Sequence, residues 1–431
     1  MTKASSLTNR NASIDRFRGT VIFSMIFFQF AAHFKNLGVF ADISSHAPDE
    51  NAIYIFPNFA VADLVAPMFI LAIGLTFLPS LYKRMERDGV KAAVIHCVQR
   101  YMLFIGIGVF MNGVNDILDG KFDDTLCLTF IIPTILILVL FILWLVLKVA
   151  KVKKVASVIG KAAGVLLVAF GAYGVILALV NAVMLVLGKT ADSYGHWLVL
   201  HHIGFAGLVA LPFVLIKGKF ASVLRLVGGL VLFGVYTLFH EGNLPNDLFN
   251  SNMELIDAVA DGGFIGGFGW GAMLVLFMFF ADLYYKSKKN YYIALGVFAV
   301  PAVAFIVASF MSLPEGYTSL AGQMGSILAI NKGSVSPGFI IIATFMSLVA
   351  FTIFDLFNFY KLSFDPLSWW GKNPMLMYCL EFGFVGGIAA AAGDFFETAS
   401  VPVSIIIIAV VTAILTAIAY ILNKKNKIIK I

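Results

Sequence analysis

His46 and Asp63 are the residues in this chain best suited to proton chemistry. They lie in the stretch HAPDENAIYIFPNFAVADLVAPMFILAIGL, from His46 to Leu75, where a polar, acidic loop runs into an apolar helix that opens with a carboxylate and a proline, Pro67. A histidine beside a carboxylate is the usual general-base arrangement, because the carboxylate orients the ring and stabilises its charged form. An ionisable group near hydrocarbon is destabilising unless it has a partner, so Asp63 calls for one. Gln29 and His33 are a second polar pair, one helical turn apart on a common face. The competing reading is that His33 and His46 are solvated loop residues and that Asp63 caps its helix N-terminus. The residues alone leave both open.

The elements that must hold these groups are set by composition. Of 431 residues, 60% are hydrophobic and 13% charged, against roughly 45–50% and about 25% in a soluble globular chain. The chain therefore reads as a polytopic membrane protein, with 42 Phe to cover lipid-facing surface. The net charge of +6 is not a nucleic-acid footprint, because the basic residues form short clusters between apolar runs. Cys97, Cys127 and Cys379 lie in or beside apolar runs and read as reduced, buried thiols; their odd number argues against a disulfide framework. The histidines show no HExxH or similar spacing, so no metal site is expected. No Walker or Rossmann glycine pattern appears, and the GGFIGGFGWG run from Gly262 reads as close helix packing. The segment before Phe17 is long and polar, and the apolar run after it lacks a small-residue cleavage site, so it reads as a retained first helix.

A spanning helix needs about 20 mainly apolar residues, which gives about twelve candidates here. They are Phe17–Phe34, Val61–Tyr82, Ala92–Val114, Leu126–Val149, Ile159–Leu187, His196–Ile216, Ala221–Phe239, Gly263–Tyr285, Tyr291–Met311, Pro337–Phe359, Pro374–Ala392 and Val401–Leu422. The expected fold is all-α, a single membrane-embedded helix bundle covering residues 1–431. Lys and Arg cluster before the first span, after the second, fourth, sixth, eighth and tenth, and at the chain end. By the positive-inside rule all of these lie on one side, with both termini cytoplasmic. The opposite loops are acidic or neutral; the longest are His240–Gly262 and Ser312–Ser336, the second with an apolar piece, Ala321–Ile330, that fits a short re-entrant or interfacial helix. This topology gathers Gln29, His33, His46 and Asp63 near the outer boundary. His96 and Arg100 share a face of the third span, with Asn112 near its outer end, and the sixth carries His196, His201 and His202. Being adjacent, His201 and His202 point apart on a helix and cannot both serve one site. Arg100, Asp355 and Glu381 are charges inside apolar runs, expected to pair or to line a wet cavity.

Five stretches, in order, resemble the heparan-α-glucosaminide N-acetyltransferase family of transmembrane acyltransferases. NASIDRFRGTVIFSMIFFQ from Asn11 is similar to that family's opening motif, VADLVAPMFILAIGLTF to its second helix, and WLVLHHIGFAGL from Trp197 to a later helix. INKGSVSPGFIII from Ile330 resembles its NKS segment, and PLSWWGKNPMLMYCL from Pro366 its WLGRN segment. The resemblance implies a membrane acyltransferase that takes acetyl-CoA, or another acyl-CoA, from the cytoplasm and acylates an outer-side glycan or small-molecule acceptor. His46, in HAP, matches the family's histidine before the second helix and would be general base or transient acyl carrier. Asp63 would orient it, Gln29 would offer an amide to the oxyanion, and Arg100 and Lys372 would contact cofactor phosphates. The chain departs from the family in three places: the Trp after HA is missing, the loop from His46 to Asp63 is longer, and Gln29 stands where the family has Asn. The bilayer, the acceptor and, as one option, a second copy of the chain are the expected partners, in a bacterial plasma membrane. The rival readings are a transporter or flippase whose pathway is lined by Arg100, Asp355 and Glu381, and an inactive relative. Cysteine labelling tests the topology: a cysteine at Asp49 should react with an impermeant reagent outside the cell and one at Lys153 should not, and the reverse would overturn it.

Overall fold

The computed structural model describes residues 11–32, 34, 37–38, 42–43, 45–47, 52–118, 120, 122, 125–186, 197, 199–240, 260–311, 330–357, 365–380 and 393–425. They are overwhelmingly helical: α1 (Ala12–Ala32), α2 (Val65–Asp88), α3 (Val90–Leu118), α4 (Thr125–Val149), α5 (Lys153–Val186), α6 (Val199–Leu215), α7 (Ala221–His240), α8 (Gly263–Lys286), α9 (Lys288–Met311), α10 (Pro337–Leu356), α11 (Pro366–Lys372), α12 (Pro374–Leu380), α13 (Gly393–Thr398) and α14 (Val401–Lys424). Among the described residues, nine helices are long and apolar enough to cross a membrane: α2 (entered through a 3-10 turn, Ala62–Leu64), α3, α4, α5, α7, α8, α9, α10 and α14. The shorter apolar helix α6 lies where a further span is expected. The expected span Pro374–Ala392 is described only as far as Leu380, and it is preceded by a break at Asn373 that separates α11 from α12. The Ala321–Ile330 piece lies outside the described residues except for Ile330, and so does Glu381.

The bundle is organised around α8. Of its most apolar stretch 78% is buried, against 11% in α9 and α14, which turn Val297, Val300 and Val303 or Ile405, Ile406 and Val410 outward. In lipid such surfaces gain nothing by pairing, so the helices are held by close packing and by polar contacts at their ends. The glycine run of α8 supplies the first, as its sequence suggests: Gly267 takes the Phe205 ring of α6, Gly269 the Tyr236 ring of α7 and Gly271 the Val209 side chain of α6. A second close approach joins α1 to α11. A Cβ on Gly19 would collide with the Leu367 carbonyl, and one on Gly371 with the Asp15 carbonyl, so neither helix tolerates a side chain there.

Polar contacts gather at two ends. At one, Asn11 and Ser13 of α1 reach Tyr284 Oη (2.9 Å) and Asp355 Oδ1 (3.3 Å), Asp355 also accepts from Tyr284 (2.6 Å) and Lys288 (2.6 Å), and Arg16 donates to Asp365 at the start of α11 (2.7 Å). On the same end Arg225 of α7, its side chain 1% exposed, donates to Asp282 (2.8 Å), to Tyr82 Oη (2.6 Å) and to the carbonyls of Ile216 (2.6 Å) and Phe213 (3.1 Å). Asp282 also takes Ser222 (2.5 Å) and Lys286 (2.8 Å). Breaking a buried ion pair costs about 3–5 kcal/mol where the remaining charge has no other partner; here Lys286 and Ser222 stay on Asp282, so the loss of Arg225 should cost less than that but still be felt. Arg225→Met should therefore lower the thermal unfolding temperature in detergent, and adding Asp282→Asn should recover part of the loss. An Arg225→Met protein as stable as wild type would contradict this role.

Candidate active site

The other end is built around Asp63. The stretch Tyr54–Ala60, expected as loop, folds into a short antiparallel hairpin: β1 (Tyr54–Phe56) pairs with β2 (Phe59–Ala60) across a Pro57-Asn58 turn. Proline presets its own φ and Asn58 accepts φ 62°, so the two residues suit a tight reversal. The stacked rings of Phe56 and Phe59, 4.9 Å apart, close it. The chain then enters the 3-10 turn Ala62–Leu64 and runs on as α2.

Asp63 points back along the chain and makes no helix cap. Its carboxylate is fully buried, with Oδ2 accepting from Ala60 N (2.8 Å) and, at 3.5 Å, from Ala47 N. Oδ1 stands 2.7 Å from His46 Nδ1. With the carboxylate ionised, the ring donates from Nδ1 and leaves Nε2, on its far side, as the basic nitrogen. The His46 side chain is 48% exposed while Asp63 is not exposed at all, so the pair presents an accessible imidazole on a buried, fixed carboxylate. That geometry removes the helix-cap reading of Asp63 and is one an oriented base could use.

A second charged pair, not singled out from the sequence, lies at the same end. Lys332 Nζ is 2.7 Å from Asp261 Oδ1, with side chains 11% and 9% exposed. Asp261 adopts a left-handed backbone (φ 59°), continued by Gly262 (φ 76°), and Val335 does so too (φ 53°) despite its branched Cβ. Such conformations persist only where surroundings enforce them. Here Gly262 N–H donates to the Gly333 carbonyl (2.6 Å), Tyr236 Oη to the Ser334 carbonyl (3.0 Å), and Ser336 Oγ accepts from the N–H groups of Asn331 (3.0 Å) and Phe339 (3.2 Å). Burial by itself pushes the Asp261 carboxyl up, but the Lys332 ammonium, with His202 and His46 adding to it, holds it below its ordinary value.

The other candidates separate. His202 is buried and donates from Nε2 to the Trp197 carbonyl (2.9 Å), its ring 6.1 Å from Trp270. His201 turns toward Gly108 and a cavity of about 30 Å³ lined with Asn112, Asp116 and Trp197, so the adjacent histidines point to different neighbours while both rings lie against Trp197. Such a cavity has room for a water or two. Gln29 lies in the last turns of α1, but its side chain is outside the described residues, as is His33. Arg100 lies on α3 over the Phe104 ring (5.4 Å), and its buried Nε has no hydrogen-bond partner among the described residues. Lys372 donates to Asn423 of α14 (2.5 Å). α3 packs on α2, α4, α5 and α6, whereas α11 packs on α1, α12 and α14, so Arg100 and Lys372 belong to different parts of the bundle. Asp355 is consumed by the network at the opposite end.

The sequence matches no protein-family profile, and no curated protein is significantly similar to it. The Asp63 cluster accordingly stands on its geometry. Asp63→Ala should leave the buried Ala60 N–H without an acceptor, at about 1–3 kcal/mol, while Asp63→Asn, which keeps a carbonyl oxygen, should cost less. Thermal unfolding of the two variants checks the order, and equal stability would contradict it.

Proposed function

We propose that this protein is an integral membrane acyltransferase whose reacting base is His46, held by Asp63. The 2.7 Å contact between an exposed imidazole and a buried carboxylate carries this reading. In the proposed arrangement the chain has about twelve spans and cytoplasmic termini, in keeping with the basic clusters and a spanning length of about 20 residues. The Asp63 end then faces outward, and the end rich in Lys and Arg, with Arg225, Lys286 and Lys288, faces the cytoplasm of a bacterial cell.

Acetyl-CoA, or another acyl-CoA, is the proposed donor, and a sugar amine or hydroxyl of a cell-envelope glycan the acceptor. As a base, His46 Nε2 removes the acceptor's proton while the acceptor oxygen or nitrogen attacks the thioester carbonyl. The C–S bond breaks, and the thiolate of CoA leaves and takes up a proton. As a carrier, Nε2 attacks the thioester carbonyl first, the C–S bond breaks and the CoA thiolate leaves and takes up a proton; the acceptor then attacks the acyl-imidazole, giving up its proton as the C–N bond breaks and the free ring is restored. In either course Asp63 stabilises the positive charge that develops on the ring, and Gln29 is the proposed amide donor to the oxyanion. Arg100 keeps an unused buried donor suited to a CoA phosphate. Lys372 would have to leave Asn423 to do the same.

Purified protein incubated with radiolabelled acetyl-CoA and glycan acceptors should transfer label. His46→Ala should reduce that transfer by about 10²–10⁴-fold, and Asp63→Asn should damage it, because the charge that favours imidazolium is lost. His33→Ala is the matched control and should be near wild type. A His46→Ala protein with wild-type turnover sinks the reading, and flux of substrate into proteoliposomes without turnover would put transport in its place.

A further inference from the structure

The Asp261–Lys332 pair is left without a role by the reaction just described. It is poor ground for stability, because burying two charges costs about as much as their attraction returns. Yet the backbone is left-handed at Asp261 itself and at Val335, three residues after Lys332. The pair and the dyad also share a wall. Phe59, beside the Ala60 N–H that holds Asp63, lies 6.0 Å from Phe339, which lies 5.9 Å from Trp270, whose Nε1 donates to the Asp261 carbonyl (3.4 Å). Five elements bring charged or titratable groups to this place. They are Asp63 at the entry of α2, Asp261 at the entry of α8, Lys332 in the turn before α10, His202 on α6, and His240 on α7, whose ring reaches Ser334 at 3.4 Å.

We propose that Asp261 and Lys332 are positioning residues of this site, two opposed fixed charges that set the proton affinity of the His46 ring. The two opposed charges are paired at 2.7 Å, so removing either one leaves the other uncompensated. Loss of Lys332 leaves the Asp261 carboxylate uncompensated and favours imidazolium. Loss of Asp261 leaves the ammonium and favours the neutral ring. The proposal rests on His46 as the reacting group, but its test needs no turnover.

The measurement is the pH dependence of diethylpyrocarbonate modification of His46, which requires the neutral imidazole, read by mass spectrometry on full-length protein in nanodiscs. Asp261→Asn is the decisive variant: asparagine tolerates the left-handed backbone and its amide oxygen can still accept from Lys332. It should lower the midpoint by about half to one pH unit. Lys332→Gln should raise it by a similar amount, and Lys332→Arg should leave it in place. If Lys332→Gln fails to run as a single species in gel filtration, Asp261→Asn and Lys332→Arg decide alone. An Asp261→Asn midpoint that is unchanged or raised overturns the proposal. Midpoints that move as expected in a protein whose His46→Ala variant keeps full turnover would uphold the charge pair and remove the catalytic reading.

Discussion

A carboxylate with no exposed surface, in a chain where six residues in ten are hydrophobic, has to be answered by its own surroundings. Asp63 is answered by the Ala60 N–H at 2.8 Å, the Ala47 N–H at 3.5 Å and one imidazole at 2.7 Å, and all three depend on a particular path of the chain. The hairpin exists to turn Ala60 back over Asp63, and the loop before it brings His46 alongside. Because the imidazole is half-exposed and the carboxylate is not, the contact that gives the buried Asp63 a hydrogen-bond donor also leaves the far side of the ring accessible. In the proposed function, stability and chemistry at this end would come from one interaction.

The polar groups elsewhere follow a consistent division. Arg225, Asp282, Asp355 and Asp365 are fully engaged at the opposite end, tying α1, α7, α8, α9, α10 and α11 together. Between the two ends α8 presents a buried apolar stretch from Ala272 to Phe277. The residues of the NASIDRFRG motif belong to this far network: Asn11, Ser13 and Arg16 bind Tyr284, Asp355 and Asp365. Their part is to fix α1 in the bundle, at the end opposite His46 and Asp63.

Much of this was legible beforehand. Helix positions follow from apolar length, and α2, α8 and α10 begin within a few residues of where hydropathy and proline place them. The contact of His46 with Asp63 was legible only in part: a carboxylate at the head of an apolar helix needs a partner and His46 was close in the chain, but the residues alone left a helix cap equally open. The hairpin was not legible, since Tyr54–Ala60 is too short to show a strand period. Asp261 with Lys332, and Arg225 with Asp282, join residues far apart in the chain, and no spacing rule pairs them. Arg225 and Asp282 did give a signal, as charges within the apolar stretches Ala221–Phe239 and Gly263–Tyr285, and the four acceptors of Arg225 show how such a charge is made tolerable.

The most direct test is one of sidedness. Inverted membrane vesicles bearing the protein would receive carbon-13 acetyl-CoA outside, on the cytoplasmic face, with hexosamines and glycan fragments sealed inside. The account predicts labelled, acetylated sugar in the vesicle lumen and free CoA on the donor side. Labelled product formed on the donor side, or passage of the sugars without acetylation, would contradict it.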